Sequence, residues 1–524
     1  MSSITSTITS TARTSVTAVD RVLGRVTMSM LVAITLSAIA VLALALSIAG
    51  VLFFSPLAWI LSLVVALLSV TAATWIASLV VRRTPHPPSA IITGLLLFLI
   101  FTPSVDPGAL GGLALAGVIA GASKYLFAVR GRHLFNPAAI GALVVGIVQS
   151  LVPGAPFLFA TWWVATPPLL PLVAIGALIV LWRTSKLTVG VAFVVLAGAI
   201  VVVRMLTVGM DAGAAIAIAF GSLPIVFFAG FMLSEPLTLP PRRWQQLVEV
   251  VIVAALVSIP FSIGPLFSSP ELALVIGNLV AFAFGQRRAI RLTLEDRREL
   301  APGIWTLGFR PAAPVRFAPG QYIELDVPVR SPDSRGWRRV FSIASAPGDA
   351  LVRVAFSTPK DGPVSAAKQT LIAVPLGTVL SASMVGGDFV LPARLDDPVL
   401  LVSGGIGVTP FVSQVLAAPQ RDTVLVMATT VSGRPPFADE LEAAGVRVVL
   451  FSPEPPSPLP ANWTLGGSAA PSAVPTAELI AASVPDLAKR RVFISGSPAM
   501  VSSLGRALSA AGAGRIHRDV FSGY

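Results

Sequence analysis

The hydrophobic pattern changes character once along this chain. Up to residue 286 it is a series of continuous apolar runs, at about 28–54, 57–81, 89–104, 109–123, 137–153, 168–182, 187–206, 212–233, 247–264 and 270–286. Runs of this kind predict membrane-crossing helices, the short ones tilted or half-inserted. Beyond them the segments shorten. "GIWTLGFRP", "GQYIELDVP", "RRVFSIASA", "LVRVAFS" and "GTVLSASMVG" alternate or are β-branched between Pro and Gly, which predicts a small antiparallel barrel over about 290–392. From residue 397, "DPVLLVSGG", "TVLVMATT", "VRVVLFS" and "RVFISGS" are separated by helical stretches, the pattern of a parallel α/β sheet. The expected fold is a ten-span polytopic α-helical membrane domain (27–286), an antiparallel β-barrel domain (287–393) and a Rossmann-like α/β nucleotide domain (394–524). The Ser/Thr-rich residues 1–26 have few acids and no cleavage motif after them, so a flexible cytoplasmic tail is expected there.

Charge sharpens this division. Residues 1–286 carry 13 Lys/Arg and 6 Asp/Glu, whereas 287–524 carry 24 and 19. Within the first part the basic residues fall in alternate connections: Arg13, Arg21 and Arg25, then Arg82 and Arg83, Lys124 with Arg130 and Arg132, Arg183 and Lys186, Arg242 and Arg243, and finally Arg287, Arg288 and Arg291. Only Arg204 interrupts the scheme. Positive loops face the cytoplasm, so this alternation predicts a multi-pass protein of the plasma or inner membrane, surrounded by lipid, with both termini cytoplasmic. The same residues account for the net charge of +12 without a nucleic-acid partner. Thr166 then lies at the outer face and "SEPLTLPPRRWQQ" at the inner one; Glu249, near the inner end of its run, either lines an ion path or snorkels to water.

Composition also limits the cofactors. The absence of cysteine excludes disulfides and Cys-ligated iron–sulfur clusters within this chain, and no metal site is expected. The three histidines, His86, His133 and His517, are too few and too peripheral for stacked bis-His haems, so the expectation is no haem and an organic electron carrier.

The second part holds the motifs for such a carrier. In "RRVFSIAS" an arginine at a strand end, Arg339, can pair with a flavin pyrophosphate, while Phe341 and Ser342 flank the ring. "GPVSAAKQTL" sets Gly362 and Ser365 at a helix start, where free N–H groups favour phosphate. "VSGGIGVTP" follows a strand and opens a helix; Gly404, Gly405 and Gly407 admit a dinucleotide close to the backbone and Thr409 can donate to it. With "FAPGQYIEL", "SGSPAMV" and the ending "DVFSGY", residues 290–524 resemble the ferredoxin–NADP+ reductase family. The resemblance implies FAD on the barrel through Arg339, Phe341, Ser342 and the Gly362–Ser365 turn, with NADH or NADPH as substrate on the α/β domain. It also implies that Tyr524 stacks on the flavin and must move aside for nicotinamide, and that Ser342 and Ser495 belong to the reacting end. Ser495 stands where the family's "CGP" motif has cysteine. Arg434, in "VMATTVSGRPPF", either meets a 2′-phosphate or is a solvated loop residue.

"RGRHLFNPAAIGALVVG" and "FMLSEPLTLP" resemble the NqrB/RnfD family of ten-span membrane flavin subunits. That family carries FMN on a threonine of a "SGATPL"-type motif. Here "WVATPPL" takes its place, with Ala165, Thr166 and Pro167 matching and the Ser-Gly pair absent. The resemblance implies FMN or riboflavin in the membrane domain, held at Thr166 between Trp162 and Trp163, with Asn136 and Glu235 as further candidates. The alternative for "FNPA" is a structural break between helices.

Together these readings predict an NAD(P)H-dependent, FAD-containing transmembrane oxidoreductase. Electrons would pass to a membrane-domain flavin and on to an extracytoplasmic flavoprotein or quinone. The alternative is a redox-coupled ion transporter driven or regulated by the reductase part.

Overall fold

The structure is a computed structural model that describes residues 27–82, 85, 87–129, 132–152, 154, 159–285, 290–329, 338–359, 362, 364–466 and 474–521. The expected tail (1–26) and Tyr524 lie outside the described residues. The chain forms two compact units that divide between residues 287 and 288.

Each of the ten apolar runs of the first unit holds a helix: α1 (Met28–Ile48), α2 (Pro56–Val80), α3 (Pro87–Ile100), α4 (Pro107–Leu126), α5 (Pro137–Leu151), α6 (Leu170–Arg183), α7 (Leu187–Thr207), α8 (Ala212–Gly221) followed by α9 (Ile225–Phe228), α10 (Arg243–Ser258) and α11 (Pro270–Gly285). Three of them begin by one device. Ser55, Asp106 and Asn136 each accept the N–H three residues on, and each is followed by proline. At that first helical position the missing N–H of proline leaves no bond unmade. Close helix contact is built from small residues: a Cβ at Gly121 of α4 would lie 2.7 Å from the Val70 carbonyl oxygen of α2.

Length and hydropathy support part of the expected ten crossings. Among the described residues, four helices are long and apolar enough to cross a membrane alone, α1, α2, α4 and α7, or five when α8 and the helical segment after it count as one span. Those two are bent by 42°. Pro224 stands at the break, where it has no N–H for the preceding turn, so the run at 212–233 is broken and not continuous. Residues 229–233 then widen into a buried π-turn ahead of "SEPLTLP". Helices of 14 residues, such as α3 and α6, rise only about 21 Å against a hydrocarbon core of about 30 Å.

The second unit starts with a six-stranded antiparallel sheet: β1 (Ile290–Ala301), β2 (Ile304–Pro311), β3 (Tyr322–Asp326), β4 (Arg338–Ser342), β5 (Val352–Ser357) and β6 (Val379–Gly386), in the order β4-β3-β6-β1-β2-β5. Its core follows the two-residue period, with Leu292 and Leu294, Leu307 and Phe309, and Ile323 and Leu325 all fully buried. An antiparallel bridge between Ile343 and Val354 joins the two edge strands and closes the barrel. Helix α12 (Ala366–Ala373) follows β5.

A parallel sheet comes next: β7 (Val399–Gly404), β8 (Thr423–Ala428), β9 (Arg447–Phe451), β10 (Trp463–Leu465), β11 (Arg491–Gly496) and β12 (Ile516–Val520), in the order β10-β9-β8-β7-β11-β12. Helices α13 (Thr409–Ala417), α14 (Ala438–Ala443), α15 (Ala477–Ser483) and α16 (Pro498–Ala510) connect the strands. Val399 to Val402 are fully buried, as a strand covered on both faces requires. The strand order reverses at β7, which has the chain-later β8 on one side and β11 on the other, and ligands of open α/β sheets bind at the carboxyl ends of strands at such a point.

The turn after β7 fixes how close α13 can come to β11. A Cβ at Gly407 would lie 2.5 Å from the Ser495 carbonyl oxygen and 2.8 Å from the Gly496 Cα, both of them backbone. Gly407→Ala is therefore expected to destabilise the second unit by about 1–3 kcal/mol through overpacking. Gly514→Ala, where the new methyl meets nothing within 4 Å, serves as the control. Denaturant unfolding of the full chain checks this, and equal stability of the two variants would contradict it.

Candidate functional site

The carboxyl ends of β7 and β11 bring together the residues expected to read a nucleotide. Gly404 ends β7, Gly405 to Val408 form a single tight turn, and Thr409 opens α13. Gly405 has a φ of +53°, and a Cβ built on it meets nothing within 4 Å, so the turn borders open space there. Across from it Ser495 is fully buried, and its hydroxyl has no hydrogen-bond partner. Thr409 is buried, and its hydroxyl donates to the Ile406 carbonyl at 2.9 Å, so the side chain braces the turn.

A residue that sequence reasoning passed over adjoins this group. Asp519 on β12 pairs in register with Ser495 on β11. Burial pushes its carboxyl up to about 6, only partly countered by the Val520 backbone N–H. "DVFSGY" offered an acid beside a terminal aromatic, but its pairing with Ser495 depends on β12 lying next to β11, which the sequence does not state.

On the barrel, Arg339 and Phe341 of β4 pair with Leu325 and Ile323 of β3 and so share a face. Arg339 is buried and donates to the Arg338 carbonyl at 2.7 Å. Phe341 is a core residue, packed on Phe356 at 5.7 Å, and does not stand free as the wall for a ring. Ser342 is buried opposite Tyr322. Gly362 has a φ of +100° with open space beside it. Ser365 caps α12 by accepting the Lys368 N–H at 3.4 Å. Barrel and parallel sheet are clamped by Ser413, which donates to the Ser345 carbonyl, and Gln414, which donates to the Phe389 carbonyl, each at 2.7 Å. Phe389 and Ala344 also belong to the apolar core around β7 and α13.

Arg434 meets carboxylates. Its guanidinium reaches Asp439 and Glu442, each at 2.6 Å, while the side chain stays exposed in its loop.

In the first unit, Asn136 and Glu235 come together although 99 residues apart. The Asn136 side-chain amide donates to Glu235 Oε2 at 2.9 Å, and its backbone N–H donates to Asn278 Oδ1 at 2.7 Å. His133 Nε2 lies 3.1 Å from Glu235 Oε1. The side-chain amide nitrogen of Asn278 is buried and unpartnered. Asn136 also caps α5, accepting the Ala139 N–H at 3.1 Å, which fits the reading of "FNPA" as a break between helices.

The tryptophans do not wall an open site. Trp162 and Trp163 are each 4% exposed. Trp162, at φ +56°, donates to Glu271 Oε2 at 3.1 Å, and Trp163 donates to the Phe98 carbonyl at 2.7 Å. Phe54 and Phe98 meet Trp163 edge-on at 4.9 and 5.4 Å. Both rings are core, with their N–H groups satisfied as burial demands. The Thr166 hydroxyl is buried without a partner, in the loop that leads into α6. Glu249 is fully buried with neither carboxylate oxygen partnered, so it does not snorkel to the surface.

No family model matches the chain. Among curated proteins, flavohemoprotein A of Dictyostelium discoideum is 31% identical over 172 residues, 30% of this chain and 43% of that protein. The Oceanobacillus iheyensis flavohemoprotein is 32% identical over 118 residues, 21% and 29% respectively. The chain thus spans less than half the length of these relatives. Among solved structures, the FAD/NAD-binding domain of a Vibrio cholerae nitric oxide dioxygenase is 18% identical, covering 45% of this chain and 99% of its own, with a TM-score of 0.36. The matches to flavohemoproteins bear out the expectation of an enzyme with an FAD- and NAD(P)H-dependent reductase module. They overturn one expectation, the exclusion of haem, because these relatives are named for haem as well as flavin. Missing histidine pairs test only bis-His ligation, and haem iron is also held by a single His, a Cys or a Tyr.

Asp519 gives this site a pH signature. A carboxyl raised from 3.8 to about 6 favours the fold while protonated, fully so below 3.8, and that contribution is lost as pH rises through about 6. Asp519→Asn is expected to gain on the wild type in thermal midpoint as pH rises across that window. A difference that stays flat with pH would contradict the assignment.

Proposed function

We propose that this chain is a membrane-bound oxidoreductase that draws electrons from cytoplasmic NAD(P)H, with FAD resident on the barrel of the second unit. It delivers them through a flavin, FMN or riboflavin, in the first unit to an extracytoplasmic flavoprotein or quinone. The reading takes the first unit as ten spans with both termini cytoplasmic, its shorter helices tilted or paired. The chain's own motifs point to FAD and a pyridine nucleotide, and its curated relatives are named as flavin proteins.

One observation carries the proposal. At the carboxyl ends of β7 and β11 a glycine turn opens onto space at Gly405 beside the unpartnered hydroxyl of Ser495. The turn lets pyrophosphate reach the backbone at Gly405. Ser495 offers the nicotinamide amide a hydrogen bond that it otherwise lacks, and Asp519 stands beside it. On the barrel, buried Arg339 and the start of α12 capped by Ser365 would hold the FAD pyrophosphate, with Ser342 as the candidate for the ring. FAD, when bound, supplies a two-electron acceptor that can release electrons singly. The Ser413–Ser345 and Gln414–Phe389 bonds keep the two binding surfaces at a fixed separation, which is what a close approach of reacting atoms needs.

In the first unit the polar group of Asn136, Glu235, His133 and Asn278 is chemically suited to the edge of a flavin ring: two amides, a carboxylate and an imidazole within an apolar core. The unpartnered Thr166 hydroxyl is the candidate attachment point for FMN.

The purified full chain is expected to hold FAD and to oxidise NAD(P)H. Arg339→Ala should weaken FAD retention about ten- to a hundredfold, the effect of one charge-assisted hydrogen bond. Loss of neither flavin nor oxidation in that variant would remove Arg339 from the site, and a wild type without both would end the reductase reading. For the first unit, flavin fluorescence that survives a denaturing gel and disappears in Thr166→Ala is the expected result. Fluorescence unchanged in Thr166→Ala would remove that threonine from the proposal.

A further inference from the structure

The segment after β8 decides which pyridine nucleotide fits, an inference that rests on the reductase reading above. Gly404 at the end of β7 pairs in register with Ala428 at the end of β8. Residues 429–434 therefore leave the sheet beside the glycine turn, at the place where α/β nucleotide folds meet the adenosine ribose. A chain that takes NADPH needs an uncommitted cation there, since a 2′-phosphate brings nearly two negative charges. The sequence puts one cation in this region: Arg434 is the only Lys or Arg between Arg421 and Arg447.

That cation is already matched. Asp439 and Glu442, on the first and last turns of α14, both lie 2.6 Å from the Arg434 guanidinium. Arg434 Nε also donates to Asp439 Oδ1 at 2.7 Å. Two carboxylates against one guanidinium leave the trio with a net charge of −1. A 2′-phosphate that bonds the remaining Nη1 of Arg434 would sit beside both carboxylates. A 2′-hydroxyl meets no such opposition.

We infer that Asp439 and Glu442 neutralise Arg434 and so make this chain selective for NADH over NADPH. These are solvent-exposed pairs, individually weak, so selectivity of at most about tenfold is expected, not exclusion.

The test uses the full-length protein in detergent and measures kcat and KM for NADH and NADPH with ferricyanide as acceptor. The wild type should favour NADH about tenfold in kcat/KM, chiefly through KM. Asp439→Asn with Glu442→Gln should move the NADPH-to-NADH ratio about tenfold toward NADPH, each single change giving part of it. Adding Arg434→Ala to the double variant should cancel the gain, a reversal that general damage to the loop would not produce. A wild type that prefers NADPH or uses both equally overturns the inference and leaves the reductase reading standing. So does a double variant with an unmoved ratio. If neither nucleotide is oxidised by FAD-loaded protein, the reductase reading fails, and this inference with it.

Discussion

No side chain fits between Gly407 and the end of β11, and the second unit is organised by that contact. With the turn after β7 pressed onto the Ser495 and Gly496 backbone, α13 begins beside the carboxyl end of the neighbouring strand. The open face of Gly405, the buried Ser495 hydroxyl and the Asp519 carboxyl then fall within one short stretch of the sheet edge. The barrel is held to the same place, since Ser413 and Gln414 lie on the helix that the turn launches and bind barrel carbonyls. A single steric requirement thus sets how the glycine turn, the end of β11 and the barrel carbonyls lie relative to one another.

The first unit is governed by a different demand, that polar groups away from water find partners. Trp162 and Trp163 enter the core only because Glu271 and the Phe98 carbonyl accept their N–H groups. Asn136, Glu235, His133 and Asn278 answer one another in the same way. Where the demand is left unmet, as at Thr74, Gln149, Thr166, Glu249 and the Asn278 amide, the unit departs from what packing alone would select.

Much of the second unit was legible in the sequence because its signals are local. Period-two alternation marked the barrel strands, a four-residue apolar run marked β7, and three glycines within four positions marked the turn, since only glycine tolerates both φ +53° and a backbone contact at 2.5 Å. What escaped depends on contacts between distant segments. Asp519 matters only because β12 lies beside β11, and Arg434 changes meaning once Asp439 and Glu442 are seen to hold it. Tryptophan beside the end of an apolar run suggests a lipid interface, yet both Trp162 and Trp163 find acceptors 65 or more residues away and are core. Counting apolar residues located the described helices of the first unit, of which four are long and apolar enough to cross alone. Counting histidines spoke to one mode of haem ligation and was extended too far.

The central claim is that the pyridine nucleotide gives up its reducing equivalents at the Gly405–Ser495 edge. It is tested most directly by anaerobic stopped-flow mixing of the flavin-loaded full chain with nucleotide deuterated at the transferred position. The account predicts that bleaching of the bound flavin slows with the deuterated nucleotide, and that this isotope sensitivity persists while bleaching becomes slower still in Ser495→Ala. Bleaching at the same rate with either isotope, and unaltered by loss of the Ser495 hydroxyl, would contradict it.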